Sequence, residues 1–296
     1  MPYSVEFIRE IAGKHGIQGE PTLMPASGMV NEAWLLDDRF VLRINIVDDA
    51  DDEPAREAFV VPIVRAAGVR SPELIAVNTN KEAAGCLYTI YAKADGELLG
   101  HLEESPELFN ATYRELGREL ALLHSIQIPE DQVHFLRKSS SFDAAVQLEK
   151  TADAGKLLSA DIDHVEKAIE KLAGRMGEGS RRAFLHQDIH PWNMFVDRTS
   201  RELTAIIDWG DAAWGDPAGE FSSMPLTAFP EMLAGYEEAG GFIDDGMKAR
   251  SLSLGLALSL WEVRELDPAR FKRQWWRHSV EGYGETLRLI DRVLES

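Results

Sequence analysis

The sequence of 296 residues contains a single cysteine, Cys86. One cysteine cannot form an intrachain disulfide and cannot supply the ligands of a cysteine-based zinc site. Leu87, Tyr88 and Ile90 follow it in a strand-like pattern, so we interpret Cys86 as a buried core residue rather than a reactive thiol. A chain without disulfides is typical of a reducing compartment, and we expect a cytoplasmic protein.

Positive charge is also scarce. Lys and Arg total 31 against 50 Asp and Glu, which gives a formal net charge of −19 at pH 7. A surface this acidic repels the phosphates of nucleic acids and the headgroups of anionic membranes, so neither is an expected partner. It attracts cations instead, within a screening length of roughly 8 Å at physiological salt.

Long apolar runs are missing as well. The most apolar stretch, residues 252–261, is much shorter than the roughly 20 residues that a membrane-spanning helix needs. The N-terminal segment carries Glu6 and Glu10 and no apolar core, so we expect no secretory signal. Apolar residues make up 45% and charged residues 27%, which are ordinary values for a globular protein and exclude a fibrous or mostly disordered chain.

The first third of the chain has the periodicity of a sheet with two helices. Ser4 is placed to cap a first helix, and Pro54 suits the first turn of a second. Phe59, Ile63 and Val64 form the predicted buried stripe of this second helix. Apolar runs predict strands at residues 22–28, 33–36, 40–46, 74–77 and 87–91. The predicted order is helix, three strands, helix and two strands.

Residues 92–96 form a short polar segment that can link two lobes, and beyond it the pattern is mostly helical. Helices are predicted from residue 106 onward, and over 142–155, 161–176, 252–263 and 269–294. The helical period stops between residues 183 and 208, where apolar runs at 194–196 and 203–207 enclose a polar turn. This succession predicts an α+β fold, with one lobe at residues 1–93 and a mainly helical lobe at 94–296.

The most informative segment, residues 184–196, reads FLHQDIHPWNMFV. Within it, Asp188 stands two positions after His186 and five before Asn193, and Asp208 follows at the end of another apolar run. A carboxylate at the end of a buried strand is costly unless it binds something. Oxygen ligands at two such places suggest a hard cation such as Mg²⁺, which proteins hold with one or two carboxylates together with substrate phosphates.

This set of residues fits phosphoryl transfer, which requires a base for the acceptor hydroxyl and ligands for the metal that bridges the nucleotide phosphates. We interpret Asp188 as the base, and Asn193 and Asp208 as the ligands of Mg²⁺. The amide of Asn193 is neutral, so the metal keeps a net positive charge toward phosphate. His186 is expected to support the loop through hydrogen bonds, while a structural and a substrate-side role are equally open for His190.

A family resemblance rests on three pieces in this order: His186-x-Asp188-x-x-x-x-Asn193, Asp208-Trp209-Gly210 and Gly215-Asp216-Pro217. Together they resemble the aminoglycoside phosphotransferase and choline kinase family, and the first two are similar to the catalytic loop and the Asp-Phe-Gly of protein kinases. The resemblance implies a protein-kinase-like, two-lobed fold with an antiparallel sheet and a bracing helix in the N-terminal lobe. It also implies ATP or GTP as co-substrate, Mg²⁺ as cofactor and a small hydroxyl-bearing acceptor.

The resemblance further implies nucleotide-binding residues in the first lobe. Arg43 stands where the family's strand lysine contacts the α- and β-phosphates, and Glu57 matches the partner that orients that cation. Arginine keeps the charge of lysine but not its geometry. Ser27, Gly28 and Asn31 lie in the loop expected to cover the phosphates, although this loop has one glycine in place of the G-x-G-x-x-G pattern.

Other positions are implied by the same resemblance. The adenine is expected against the backbone between Tyr91 and Lys93. Asp216 is expected to cap the helical segment after Pro217 and, by resemblance, to support the catalytic loop. The family often has a further Asp near Glu220, and the glutamate leaves open whether that contact is made.

Two alternative functions remain open. The tripeptide Phe229-Pro230-Glu231 resembles the Ala-Pro-Glu that ends a protein-kinase activation segment, although the glycine loop of protein kinases is not matched. A nucleotide-binding regulator without catalysis is supported by Arg43 in place of lysine, but a retired site has little physical reason to keep its costly polar groups. The acceptor is not identified, since a cationic aminoglycoside or choline suits the acidic chain and a sugar, a macrolide or an amino alcohol also fits.

Overall fold

The computed structural model describes residues 3–24, 31–47, 52–102, 106–139, 143–177, 181–224, 228–265 and 288. Three predictions lie outside the described residues: the first strand beyond residue 24, the phosphate-loop residues Ser27 and Gly28, and the helix at 269–294. Among the residues that are described, no helix combines the length and the apolar character needed to cross a membrane.

A five-stranded antiparallel sheet forms the N-terminal part of the fold. Its strands are β1 (Thr22–Leu23), β2 (Asn31–Leu36), β3 (Phe40–Asn45), β4 (Leu74–Asn78) and β5 (Tyr88–Ala92), in the spatial order β1-β2-β3-β5-β4. The helices of this part are α1 (Val5–Lys14), α2 (Glu53–Ala66) and α3 (Lys81–Ala84). The central strand is β3, which carries Arg43. Strands on both sides hydrogen-bond to β3, so the backbone at Arg43 is firmly held.

Helix α1 packs against the sheet through apolar side chains on one of its faces. The Ser4 hydroxyl accepts the N–H of Phe7, which confirms the predicted cap. Ile8 and Ile11 are completely buried in a cluster with sheet residues such as Leu42. Burying each of these side chains stabilises the fold by about 1.5–3 kcal/mol, which fixes α1 on the sheet.

Helix α2 buries a broader face than predicted. The sequence predicts a stripe of Phe59, Ile63 and Val64, but Val60, Val61 and Val64 are the fully buried residues. Phe59 and Ile63 are only partly buried. The difference arises because α2 packs against the sheet on one side and against the helical part of the protein on another, so a single helical stripe does not describe it.

The connection between β4 and β5 contains α3, where the sequence predicts only a turn. The Asn80 side chain accepts the N–H groups of Glu82 and Ala83, and the helix ends at Gly85, which has a φ of 78°. A helix of four residues is too short to show a hydrophobic period. The asparagine cap and the glycine stop are the local signals that could have predicted it.

The remainder of the described chain is mainly helical, with α4 (Asn110–Ser125), α5 (Ala144–Asp153), α6 (Ser159–Ala173), α7 (Phe229–Glu238) and α8 (Met247–Glu265). Short strands interrupt it: β6 (Glu97–Leu98), β7 (Arg137–Lys138), β8 (Ala183–Leu185), β9 (Met194–Val196), β10 (Leu203–Ile206) and β11 (Ala213–Gly215). They form two three-stranded sheets, β10-β9-β6 and β7-β11-β8. Residues 197–202 connect β9 to β10, which confirms the polar turn predicted between two apolar runs. Residues 186–193 connect β8 to β9, and Asp208 follows β10.

Helices α4 and α7 approach each other through two glycines. A Cβ built on Gly117 would overlap the main-chain oxygen of Met232, and a Cβ built on Gly235 would overlap that of Arg114. The two backbones are therefore in direct contact at this crossing. Glycine is required at both positions by the lack of space.

The connection between α2 and β4 is bound to the strand that leads to Asp208. The N–H of Ile206 donates to the main-chain oxygen of Arg70 at 2.7 Å, and the Arg70 guanidinium donates to the oxygen of Leu203 at 3.0 Å. The indole N–H of Trp209 donates to Ser71 Oγ at 2.9 Å. The sheet and the helical part thus share hydrogen bonds, and the lobe boundary at residue 93 stays a prediction.

Candidate active site

Asp188, His190 and Asn193 form one hydrogen-bonded group in the loop after β8. The Nδ2 of Asn193 donates to the main-chain oxygen of Asp188 at 2.9 Å and to its Oδ2 at 3.0 Å, and His190 Nε2 lies 3.3 Å from the same Oδ2. Burial alone would raise the pKa of Asp188, but the hydrogen bonds from His190 and Asn193 outweigh burial and lower this pKa. Asp188 is therefore ionised at neutral pH, and 41% of its side chain is exposed.

His186 is a buried, neutral histidine that connects two segments of the site. Burial lowers its pKa. Its Nε2 lies 2.9 Å from the main-chain oxygen of Ile207, and its Nδ1 lies 3.3 Å from the main-chain nitrogen of Asp188. An oxygen acceptor requires a donor and an N–H requires an acceptor, so the proton is on Nε2. His186 thus ties the residue before Asp208 to the loop of Asp188.

Glu220 is a buried carboxylate that accepts two main-chain N–H groups of the same loop. Its Oε2 accepts the N–H of His186 at 3.1 Å and its Oε1 accepts the N–H of Gln187 at 2.7 Å. Gln187 has a φ of 71°, and a residue in this left-handed region can aim consecutive N–H groups at one anion. Burial raises the pKa of Glu220 to about 7, although both N–H groups act to lower it. The sequence left open whether a glutamate at position 220 makes a contact here, and Glu220 does bind the loop of Asp188.

Asp208 lies in a tight turn directly after β10. It has a φ of 71°, in the left-handed region that few residues other than glycine adopt, and a 3₁₀ turn over Trp209–Asp211 follows it. The N–H of Ile207 donates to the main-chain oxygen of Asn193 at 3.0 Å. The two side chains interpreted as metal ligands are therefore carried by backbone segments that are hydrogen-bonded to each other.

Arg43 joins two carboxylates from different parts of the fold. Its Nη1 donates to Glu57 Oε1 at 2.6 Å, and its Nη2 donates to Asp208 Oδ1 at 2.7 Å. Burial opposes the charge of Arg43, but the carboxylates of Asp208 and Glu57 outweigh it and raise the pKa of Arg43. Burial also raises the pKa of Glu57, with Arg43 acting against it. The structure thus brings together three residues that the sequence places in the site.

Asn193 and Asp208 provide donors that fit a divalent cation. Because Asn193 Nδ2 faces two oxygens of Asp188, the amide presents its Oδ1 as the ligand atom. The described part of the chain holds no group of three or more His, Cys, Asp or Glu arranged to bind a metal. The oxygens of one carboxylate and one amide are hard ligands of the kind that suits Mg²⁺, which takes its other ligands from phosphate and water.

The start of helix α2 packs directly on the turn after Asp208. Arg56 Nη1 donates to the main-chain oxygen of Gly210 at 2.5 Å. A Cβ on Gly210 would lie 3.0 Å from Cγ of Glu53, which is tighter than an ordinary contact. Burial, together with the nearby charges of Asp208 and Asp211, raises the pKa of Glu53 to about 7.

The other residues predicted to bind nucleotide lie along the sheet. Asn31 is the first residue of β2. Tyr91 is buried, and burial and the neighbouring carboxylate of Glu57 raise its pKa well above the ordinary value. The N–H of Lys93 donates to the main-chain oxygen of Arg39 at 2.8 Å, so an adenine ring would need other main-chain groups of this segment.

Asp216 stabilises the segment that follows β11. Its Oδ1 accepts the N–H of Ala218 at 3.0 Å, which is the predicted cap, although the capped segment is a 3₁₀ turn. Its Oδ2 accepts Nε of Arg250 at 2.6 Å. Two N–H groups of the loop of Asp188 are bound by Glu220, which lies in the segment that Asp216 caps.

Glu53 and Arg56 are site residues that the sequence did not predict. Both precede Glu57 on α2, and Arg56 is only 6% exposed. A charged residue on the inner face of a predicted helix signals a specific polar partner, because burying an unpaired charge is costly. One partner of Arg56 is the main-chain oxygen of Gly210, 154 positions away, and a main-chain group leaves no trace in a sequence.

The model of the Phosphotransferase enzyme family matches residues 24–251, which include all the site residues described above. Aminoglycoside 2′-phosphotransferase-IIIa, solved with GDP, is 17% identical with a TM-score of 0.68, and the match covers 99% of each chain. Spectinomycin phosphotransferase, solved with ADP and spectinomycin, is 11% identical with a TM-score of 0.65, over 100% of this chain and 99% of that one. The macrolide 2′-phosphotransferase MphH from Brachybacterium faecium is 18% identical with a TM-score of 0.63, over 98% of each chain. These similarities confirm the predicted α+β, protein-kinase-like fold.

Proposed function

This chain belongs to the phosphotransferase enzyme family, and from that premise we propose that it transfers the γ-phosphoryl group of ATP or GTP to a hydroxyl of a small molecule. One observation carries the proposal. Arg43 connects Glu57 to Asp208 across the two parts of the fold, beside the hydrogen-bonded pair of Asp188 and Asn193. A cation for phosphate, an ionised carboxylate for a hydroxyl and two oxygen ligands for a metal are the groups that this reaction requires.

In the proposed reaction, Asp188 orients the acceptor hydroxyl and takes its proton. The acceptor oxygen forms a bond to the γ-phosphorus, and the bond between that phosphorus and the β–γ bridging oxygen breaks, so the nucleoside diphosphate leaves. The lowered pKa of Asp188 keeps the carboxylate ionised and able to accept the hydroxyl hydrogen bond. Its exposed fraction of 41% leaves room for that hydroxyl.

Asn193 and Asp208 would hold Mg²⁺, and the bound ion would supply positive charge to neutralise the phosphates of the nucleotide. In the structure, Arg43 occupies Oδ1 of Asp208. Its other nitrogen is fixed by Glu57, so the Nη2 end can turn to a phosphate oxygen when nucleotide binds. Binding would then exchange one anionic partner of Arg43 for another, without leaving a buried charge unpaired.

The class of acceptor is supported by charge and by the similar structures. A net charge of −19 favours a cationic hydroxyl compound over a nucleic acid or a membrane as partner. The similar enzymes named above act on aminoglycosides, spectinomycin and macrolides, and two of them were solved with GDP or ADP. A cytoplasmic setting is part of the proposal, because the chain has one cysteine and that residue is buried.

An acceptor screen tests the proposal. Release of ADP or GDP is measured by a coupled assay with Mg²⁺, either nucleotide, and a panel of aminoglycosides, choline-like amines, macrolides and sugars. We expect acceptor-dependent release with at least one hydroxyl class. The matched control is the analogue of that acceptor in which hydrogen replaces the reactive hydroxyl, and this analogue should give only background release.

Two outcomes of the screen would point elsewhere. Binding of MgATP without diphosphate release across the whole panel would favour a non-catalytic nucleotide-binding regulator. Strong phosphate labelling of casein or histone, with no small acceptor used, would favour a protein kinase. Both outcomes contradict transfer to a small molecule.

A further inference from the structure

Helix α2 holds the turn of Asp208 at both ends. At one end, Glu57 binds Arg43, and Arg43 donates to Asp208 Oδ1. At the other end, Arg56 Nη1 donates to the main-chain oxygen of Gly210 at 2.5 Å. Glu57 and Arg56 are adjacent in the sequence. One turn of α2 therefore reaches the main-chain turn on both sides of Trp209, at Asp208 through Arg43 and at Gly210 directly.

A second partner, Asp52, fixes the orientation of the Arg56 side chain. Its Nη2 forms an ion pair with Asp52, which lies one helical turn earlier and is 63% exposed, whereas the side chain of Arg56 is only 7% exposed. A buried guanidinium needs partners for its charge and its N–H groups. Nη1 and Nη2 of Arg56 have them, whereas the buried Nε donates to no other atom of the described residues. The carboxylate of Asp52 neutralises the charge, and the oxygen of Gly210 receives a charge-assisted hydrogen bond, which is stronger than a neutral one.

The turn has little space to move toward α2. A Cβ on Gly210 would lie 3.0 Å from Cγ of Glu53, so the main chain is already in close contact with the helix. Arg137 forms an ion pair with Asp211 and lies 3.8 Å from the carboxylate of Glu53. These contacts enclose the turn on the side that faces α2.

We propose that Arg56 is a positioning residue for the metal site: by binding the Gly210 oxygen, it fixes the turn that carries Asp208 and so sets the Mg²⁺ affinity of the nucleotide-bound protein. The inference rests on the proposed function, which assigns Mg²⁺ to Asp208. Arg56 acts through the main chain of the turn, so its removal should change metal binding without changing the acceptor site.

The test compares wild type with Arg56→Met, which keeps an unbranched side chain and loses both polar contacts. Binding of a fluorescent ATP analogue is titrated with Mg²⁺, so the readout does not depend on turnover. The Mg²⁺ concentration for half-maximal binding should rise roughly tenfold or more, the effect of losing one hydrogen bond to a charged group. Binding of the analogue in EDTA should be unchanged, and Arg56→Lys, which retains one donor, should recover part of the loss.

The control is Arg9→Met on α1, where an exposed arginine pairs with Glu20, and it should titrate as wild type does. If Arg56→Met does not fold, Asp52→Asn, at an exposed position, should shift the Mg²⁺ titration in the same direction by a smaller factor. A folded Arg56→Met with the Mg²⁺ dependence of wild type would overturn the inference alone. Wild type that binds no nucleotide at any Mg²⁺ concentration would overturn the proposed function as well.

Discussion

Asp188 owes its charge to its neighbours, and its proposed role depends on that charge. Hydrogen bonds from His190 and Asn193 lower its pKa in spite of burial. Asparagine has the same shape but cannot take a proton from a hydroxyl. Asp188→Asn is therefore expected to lower kcat by about 10²–10⁴-fold, the usual contribution of general-base catalysis, while nucleotide affinity is retained.

Steady-state kinetics with the acceptor found in the screen, together with a nucleotide titration, measure both quantities. Asp153→Asn, an exposed position in α5, is the matched control and should leave kcat unchanged. Near-normal turnover by Asp188→Asn would remove Asp188 from the role of base.

Glu220 gives the stability of the protein a defined dependence on pH. Its pKa is about 7 in the folded protein, against an ordinary value of 4.5. Between these two values the folded state binds more protons than the unfolded state, so stability falls as the pH rises. The loss of unfolding free energy caused by ionising Glu220 is absent below an ordinary carboxylate pKa and complete above about 7. It amounts to roughly 3 kcal/mol, at about 1.4 kcal/mol per pKa unit.

The variant Glu220→Gln lacks this titration. Between about pH 4.5 and pH 8, the free energy of unfolding of wild type, measured with urea, should fall by roughly 3 kcal/mol relative to that of the variant. Glu149→Gln, at an exposed position in α5, is the control and should follow wild type. If Glu220→Gln also runs parallel to wild type, the raised pKa of Glu220 is wrong.

The close crossing of α4 and α7 decides whether replacing a glycine there by alanine stabilises or destabilises the protein. Alanine in a helix is normally more stable than glycine by roughly 0.5–1 kcal/mol. At Gly235 a Cβ would overlap the main-chain oxygen of Arg114, and a backbone atom of a neighbouring helix cannot move aside as a side chain can. Gly235→Ala should therefore destabilise the protein by about 1–3 kcal/mol, the cost of overpacking.

Gly13 of α1 is the matched control, because a Cβ there meets nothing within 4 Å. Gly13→Ala should stabilise the protein by roughly 0.5–1 kcal/mol. Thermal unfolding of the two variants compares a helical glycine in contact with one in open space. A gain in stability at both positions would contradict the close contact between α4 and α7.

The secondary structure was predictable wherever an element is long enough to show a period. The strands of the sheet and the helices α1, α2 and α4 follow from apolar spacing and caps such as Ser4. The helix α3 has four residues and leaves only its cap, Asn80, and its stop, Gly85, as signals. The predicted buried face of α2 is too narrow. A single apolar stripe describes a helix that packs on one neighbour, whereas α2 packs on both the sheet and the helical part.

The site was predictable where its residues are close in sequence or stand in an ordered motif. Asp188, Asn193 and Asp208 were identified in this way, and the structure carries them on adjacent, hydrogen-bonded segments. Arg56 was not identified, since the partner that links it to the site is the main chain of Gly210 in a distant segment. The sequence marks Glu220 only as a departure from an expected aspartate. Its two partners are main-chain N–H groups, which can be identified only from the structure.

At the scale of the whole molecule, the net charge of −19 predicts how turnover responds to salt. The field of an acidic protein raises the encounter rate of a cationic acceptor and is screened as ionic strength rises. Increasing NaCl from about 0.02 M to about 0.3 M should lower kcat/KM several-fold for a cationic acceptor and leave a neutral one nearly unchanged. An equal response of both acceptors would show that the net charge does not act on acceptor binding.

The short connection after α2 determines how the protein loses its structure on heating. Arg70 and Ser71 belong to the segment that leads into the sheet, yet they complete the hydrogen bonding of Ile206 and Trp209 in the helical part. If either part melted alone, it would leave polar groups of the other without partners in an apolar setting. The sheet and the helices should therefore absorb heat in a single endotherm. A fragment that ends at residue 93 would lose all three hydrogen bonds of this connection, because each has a partner between residues 203 and 209.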